Sequence, residues 1–89
     1  MDLSSARVRH IIPALMDAVY TLVARYKGSI TAEHNDGIVR TPYLEQMYGA
    51  EICALFARTK RIFDPNVIFN PQKKVGGTKE YAFAHIRTE

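Results

Sequence analysis

A glutamate and a histidine stand side by side at Glu33-His34, followed by the polar, turn-forming run Asn35-Asp36-Gly37. On an extended backbone, neighbours face opposite sides. One side chain could then bind a metal or orient a base while the other faces a substrate. Histidine works as a general base near neutral pH, and an adjacent carboxylate can ligate a cation or raise the basicity of the ring. Composition alone favours a plainer description, a polar turn closed by an Asx-type hydrogen bond. Arg40 follows, with a guanidinium suited to two-pronged binding of a carboxylate substrate. The alternative for Arg40 is a surface or helix-end ion pair. His10, His34 and His85 are too scattered for a self-contained zinc site. There is no glycine-rich phosphate loop, nucleophile elbow or nucleotide fingerprint.

These groups sit in a chain of 89 residues, which is room for one small domain. A domain of that size buries only about two-thirds of its surface, so its core is thin. The apolar share of 47% is that of a globular domain and excludes a disordered tail. The net charge of +3 is spread from Arg7 to Lys79 without a basic patch, which argues against a nucleic-acid binder. Cys53 is the single cysteine, so no internal disulfide can form. It falls mid-helix among apolar neighbours, where packing is its expected role. No apolar run is long enough to span a bilayer, and no signal-peptide pattern opens the chain. A cytoplasmic setting is the expectation.

The positioning elements read as follows. Val8, Ile11, Ile12, Leu15, Val19, Leu22, Val23 and Tyr26 recur at helical spacing, with Ser4 or Ser5 as cap. Pro13 inside that pattern either kinks the helix or begins it. Gly28 marks the stop. Ser29 to Ala32 reads as a short strand, and Ile38-Val39 as resumed extended structure. Thr41-Pro42 starts a short helix over Tyr43 to Tyr48, ended by Gly49. A further helix runs from Ala50 to Phe63, expected to bury Ile52, Leu55, Phe56, Thr59 and Phe63, and Asp64-Pro65 ends it. Tyr81 to Ile86 forms a strand or docks through its aromatics. The expected fold class is thus α+β, with about three helices and one or two short strands. A lone strand pair is marginal in water, so sheet partners from elsewhere are implied.

Two longer segments carry a resemblance. The first is Lys27-Gly28-Ser29-Ile30-Thr31-Ala32-Glu33-His34-Asn35-Asp36-Gly37. The second is Lys60-Arg61-Ile62-Phe63-Asp64-Pro65-Asn66-Val67-Ile68-Phe69-Asn70-Pro71-Gln72-Lys73. In order and separation they resemble the end of the FAD-linked oxidase family, the glycolate oxidase, D-lactate dehydrogenase and D-2-hydroxyglutarate dehydrogenase group. That family carries Gly-Gly-Ser-x-x-Gly-Glu-His-Gly-x-Gly, then a helical stretch, then Lys-x-x-Phe-Asp-Pro-x-x-Ile-x-Asn-Pro-Gly-Lys.

The resemblance implies that residues 1–89 are the carboxy-terminal portion of the family's cap domain, a ferredoxin-like α+β sheet, with the FAD-binding domain absent. It implies FAD as the parent cofactor, not expected to bind this portion alone, and a divalent ion as in the family's metal-dependent members. Glu33 would be a metal ligand beside two histidines of an upstream motif lacking here. His34 would be the base for the 2-hydroxyl proton. Asn70 and Pro71 would approach the flavin, and Arg40 remains the candidate for a substrate carboxylate. Asn35 and Gln72 depart from the family, each standing where it has glycine. Asn tolerates left-handed backbone, so the first turn should survive. The expected partner is the missing FAD-binding domain or its chain. The alternative is a non-enzymatic, oligomeric interaction module derived from the cap fold. For the isolated chain, self-association is expected through the edge of the Ser29 to Ala32 strand or by swapping the aromatic tail.

Overall fold

In the computed structural model, residues 1–88 are described, and among them there are helices but no β-strand. Helix α1 covers Ala6–Arg25, a short α2 covers Gly37–Arg40, and a 3-10 turn at Thr41–Tyr43 leads into α3, Leu44–Tyr48. Helix α4 spans Ala50–Phe63 and α5 spans Lys79–Ala84. The α+β expectation, with its ferredoxin-like sheet, is therefore overturned for this chain.

The failed strand has a local cause. Ser29 to Ala32 has strand-forming residue types, but a strand exists only where a neighbour completes its hydrogen-bond ladder. No such neighbour is present among the described residues. Instead the segment bonds to side chains: the Thr31 amide donates to Ser29 Oγ, Ser29 Oγ donates to the Thr31 carbonyl, and the Ile30 amide reaches Met47 Sδ at 3.4 Å. This is the competition that Ser and Thr side chains offer to regular structure. Ile38-Val39 is helical rather than extended, with the Arg40 amide bonding back to the Asp36 carbonyl. The tail is helical as well. Thr78 caps α5 by accepting from the Tyr81 amide, a start signal that the sequence carries.

Helix α1 begins at Ala6, so Pro13 lies in its interior and does not start it. An interior proline costs an isolated helix about 3 kcal/mol, which packing must offset. Val8, Ile12, Met16, Tyr20 and Val23 form that packing stripe and are half-buried. The stop is a Schellman turn, with the Gly28 amide on the Val23 carbonyl and the Lys27 amide on the Ala24 carbonyl. The left-handed residue there is Lys27, at φ 54°, one position before the expected glycine. Gly49 does take the role expected of it, separating α3 from α4 at φ 86°, where an L side chain would be strained.

The core is small and central. Tyr43, Leu44 and Ala82 are its buried apolar residues, with Asp36, Thr41 and Asp64 as buried polar ones. The Tyr43 ring packs edge-on against Tyr20 at 4.7 Å, and its hydroxyl donates to Asp17 at 2.7 Å. Lys79 reaches the same Asp17 oxygen at 2.9 Å, tying α5 to α1. Burial first, then the Asp17 carboxylate, pushes the Tyr43 phenol well above its usual range.

Much apolar surface stays outside this core. On α1 the stripe Ile11, Leu15, Val19, Leu22 and Tyr26 is exposed. On α4 the expected core residues Ile52, Leu55 and Phe63 are exposed, Phe63 at 82%, while Phe56 is half-buried. The helical period of α4 was legible, but the described residues supply no layer to cover its outer stripe. The total exposed surface is 6729 Å². A compact monomer of this mass exposes about 5,300 Å². The radius of gyration, 14.1 Å, likewise exceeds the roughly 12 Å of a compact domain of this length.

Candidate functional site

The two motif segments, far apart in sequence, meet across one open cleft of about 450 Å³. His34, Asn35 and Gly37 form one wall; Lys60, Phe69, Asn70, Lys73 and Lys74 form the other. His34 and Asn70 are thus brought together. Glu33, Arg40 and Pro71 do not line the cleft.

The first wall is a loop built to present side chains. Asn35 adopts φ 61°, so the turn survives the loss of glycine as expected. Its carbonyl accepts from Thr31 Oγ1 at 2.7 Å and from Arg40 Nη1 at 3.2 Å. Arg40 therefore braces the loop through one nitrogen. Glu33 and His34 stand free on this frame, with side chains 87% and 86% exposed, 3.5 Å from each other.

The loop is anchored by Asp36, whose side chain is fully buried against Lys74 at 2.7 Å. Lys74 lies over the Phe56 ring at 4.7 Å from its centroid, and its amide donates to Thr41 Oγ1 at 2.7 Å. Gly77 closes the same corner: a Cβ there would stand 2.5 Å from the Gln72 carbonyl and 2.7 Å from Thr41. The second wall is held by Asp64. Its carboxylate accepts the Ile68 amide at 2.9 Å, the Phe69 amide at 3.0 Å and the Lys60 ammonium. Lys60 first, then these amides, hold the Asp64 carboxyl below the usual carboxylate range. Lys60 also donates to the Phe69 carbonyl. Non-glycine residues at positive φ follow in this wall, at Val67, Asn70, Gln72 and Lys74.

The anchoring roles of Asp36, Lys74, Lys60 and Asp64 are not legible in the sequence alone. Asp64 was legible as a helix stop, but not as the acceptor that shapes the next five residues. The Asp36–Lys74 pair spans 38 positions and leaves no local signal. Cys53 is half-buried on α4, and burial raises its thiol pKa, as suits a packing residue.

The donor set can be compared with the groups such motifs serve. Among the described residues no cluster of three or more His, Cys, Asp or Glu gathers to hold a metal. Glu33 and His34 supply at most part of a divalent ion's shell, which usually needs four to six ligands. The cleft is open and lined by ammonium and amide groups, which suits an anionic group. Phe69 is the one phenyl ring in its lining, so these residues could form only one side of a flavin site. No helix of the described residues is long and apolar enough to cross a membrane.

Comparison with known proteins gives these segments a setting. The family model for FAD linked oxidases, C-terminal domain, matches residues 1–74. A D-lactate dehydrogenase of Anaerostipes hadrus is 31% identical over 72 residues, covering 81% of this chain and 15% of its own length. A D-2-hydroxyglutarate dehydrogenase of Xanthomonas citri pv. viticola is 41% identical over 64 residues, covering 67% of this chain and 14% of its own length. A mitochondrial D-2-hydroxyglutarate dehydrogenase of Arabidopsis thaliana is 31% identical over 74 residues, covering 82% and 13%. The chain thus spans only 13% to 15% of the length of these three relatives. No solved structure matches it.

Proposed function

We propose, from the premise that this chain belongs to the FAD-linked oxidase C-terminal domain family, that it forms one wall of the active site of a flavin-dependent oxidoreductase acting on a 2-hydroxy acid. The observation that carries this reading is the shared cleft, lined by His34 of the first motif and Asn70 of the second. The family match and the dehydrogenase relatives support the same reaction class.

Oxidation of a 2-hydroxy acid to a 2-oxo acid removes two electrons and two protons. FAD, when bound, supplies the acceptor for the electrons. His34, exposed and 3.5 Å from the Glu33 carboxylate, is the base for the hydroxyl proton. Glu33, at the loop's outer face, gives one ligand to a divalent ion whose other ligands come from outside this segment. Asn70 and Pro71 face the flavin, with the Asn70 amide as a hydrogen-bond donor or acceptor. Arg40, expected at the substrate carboxylate, lies outside the cleft and serves it by bracing the His34 loop through its bond to the Asn35 carbonyl. The partner of this wall is an FAD-binding domain, in the same chain or another, in a cytoplasmic setting.

The test is reconstitution. The chain alone, given FAD and D-lactate or D-2-hydroxyglutarate with an artificial acceptor, should be inactive. Assembled with an FAD-binding domain, it should turn over, and His34→Gln should reduce kcat by at least about 100-fold.

A second reading is supported by the exposed stripes of α1 and α4, namely a non-enzymatic module that assembles with itself. Its contact would be helical, since the strand edge expected to drive pairing does not form. Such a module would give a stable oligomer that neither recruits an FAD-binding domain nor depends on His34.

A further inference from the structure

We infer that Lys73 is a carboxylate-binding residue of this site, holding the acid group of the substrate from the wall opposite His34. The inference deepens the reading above and rests on it for the identity of the acid as a substrate.

Three ammonium groups line the cleft, and two are already neutralised. Lys60 is paired with Asp64 and also donates to the Phe69 carbonyl. Lys74 is paired with the buried Asp36 and sits over the Phe56 ring. Among the described residues only Lys73 of the three has no carboxylate partner. Its position is nevertheless fixed, because the Lys73 amide bonds to the Asn70 carbonyl and the following amide to Thr41. The cleft therefore offers one uncompensated positive charge on a braced turn, in a lining it shares with Asn70 and His34. Phe69 gives the same wall an apolar face. One free ammonium, one amide and a base facing them are complementary to one carboxylate carried next to a hydroxyl. Glu33 does not compete for Lys73, since it lies outside the cleft beside His34.

The experiment is an NMR titration of the isotope-labelled full chain with D-lactate and, separately, with its neutral amide, lactamide. Saturable shifts from lactate should centre on the amides of residues 70–75 and on the His34 ring, with lactamide producing none. Lys73→Gln should weaken lactate binding about tenfold or more, as expected for loss of a charge-assisted contact. Lys73→Arg should restore most of it, and the control Arg58→Gln, outside the cleft, should leave it unchanged. Lys73 is exposed, so its variants should fold, which the unshifted remainder of the spectrum checks. Equal shifts with lactate and lactamide, shifts mapping elsewhere, no saturable shift, or undiminished binding by Lys73→Gln would each overturn the inference. The titration contains no flavin, so its failure leaves the redox reading standing. Conversely, an assembled enzyme indifferent to His34→Gln would sink that reading without touching the binding result.

Discussion

The loop after α4 is held by its own carboxylate, with Asp64 gathering two amides and an ammonium onto one buried side chain. The loop before α2 is held from beneath, by Asp36 and Lys74, while Glu33 and His34 stand almost fully exposed on top. Each loop buries one aspartate as an anchor and includes left-handed backbone, yet only the loop before α2 also displays an acid, Glu33, beside a histidine. A buried, partnered carboxylate fixes a backbone path, through three hydrogen bonds at Asp64 and through Lys74 alone at Asp36, whose other oxygen has no hydrogen bond among the described residues. An exposed acid and histidine on a braced turn fix nothing and remain available to a ligand. In this chain the first kind of residue makes the second kind possible, because the cleft exists only while both loops keep their shape.

The comparison breaks most severely if Lys74 is removed. Lys74→Met should leave the Asp36 carboxylate buried without a partner, and losing one member of a buried pair costs about 3–5 kcal/mol. Domains of this length hold on the order of 5–10 kcal/mol in total. Urea denaturation should show a large loss of stability or an unfolded chain. Unchanged stability would show that the two loops do not depend on that anchor.

Asp64→Asn should be milder and should carry a pH signature. Because the folded state lowers the Asp64 pKa, the carboxylate favours folding at pH values above its unfolded value of about 4. That contribution is lost as pH falls through the lowered folded value. Asp17, lowered chiefly by Lys79 and then by Tyr43, titrates in the same acid window and remains in the variant. The wild-type melting temperature should therefore fall more steeply below pH 4 than that of Asp64→Asn, with the two curves converging at the acid end. Parallel curves would mean the Asp64 charge does not stabilise its loop.

Restoring glycine sharpens the comparison at the scale of a single torsion. Gln72 sits at φ 64°, where a side chain costs about 1 kcal/mol relative to glycine, so Gln72→Gly should stabilise by roughly that amount. Asn35 sits at φ 61°, but asparagine bears that conformation easily, and Asn35→Gly should gain only a few tenths of a kcal/mol, roughly. Thermal melts of the two variants give the order directly. Equal gains would mean that torsion does not distinguish the loops.

Much of this arrangement was legible in the residues. The periodicity of α1 and α4 and the Gly49 stop appear where the spacing puts them, but Thr41-Pro42 does not start a helix: helical structure begins at Gly37, and the Thr41 hydroxyl bonds back to the Gly37 carbonyl rather than capping the next turn. The two motif segments pointed to the family, and the left-handed turn at Asn35 followed from its residue type. What failed was non-local. Ser29 to Ala32 had strand propensity without a neighbouring strand, and the hydroxyls of Ser29 and Thr31 took over the backbone bonding. Ile52, Leu55 and Phe63 have the spacing of a core stripe, but burial needs an opposing surface that these residues do not meet. The Asp36–Lys74 contact comes from chain folding across 38 positions, and Lys60, Lys73 and Lys74 reach the His34 loop by folding at long range, which no local pattern encodes.

The central claim is that the displayed histidine does chemistry at a flavin. The most direct measurement is the bleaching of the flavin's visible absorbance when a 2-hydroxy acid is added, without oxygen, to this chain assembled with an FAD-binding domain. The wild-type assembly should bleach, and His34→Gln should bleach at least about 100-fold more slowly with its flavin content unchanged. Bleaching at the wild-type rate by His34→Gln would contradict the account.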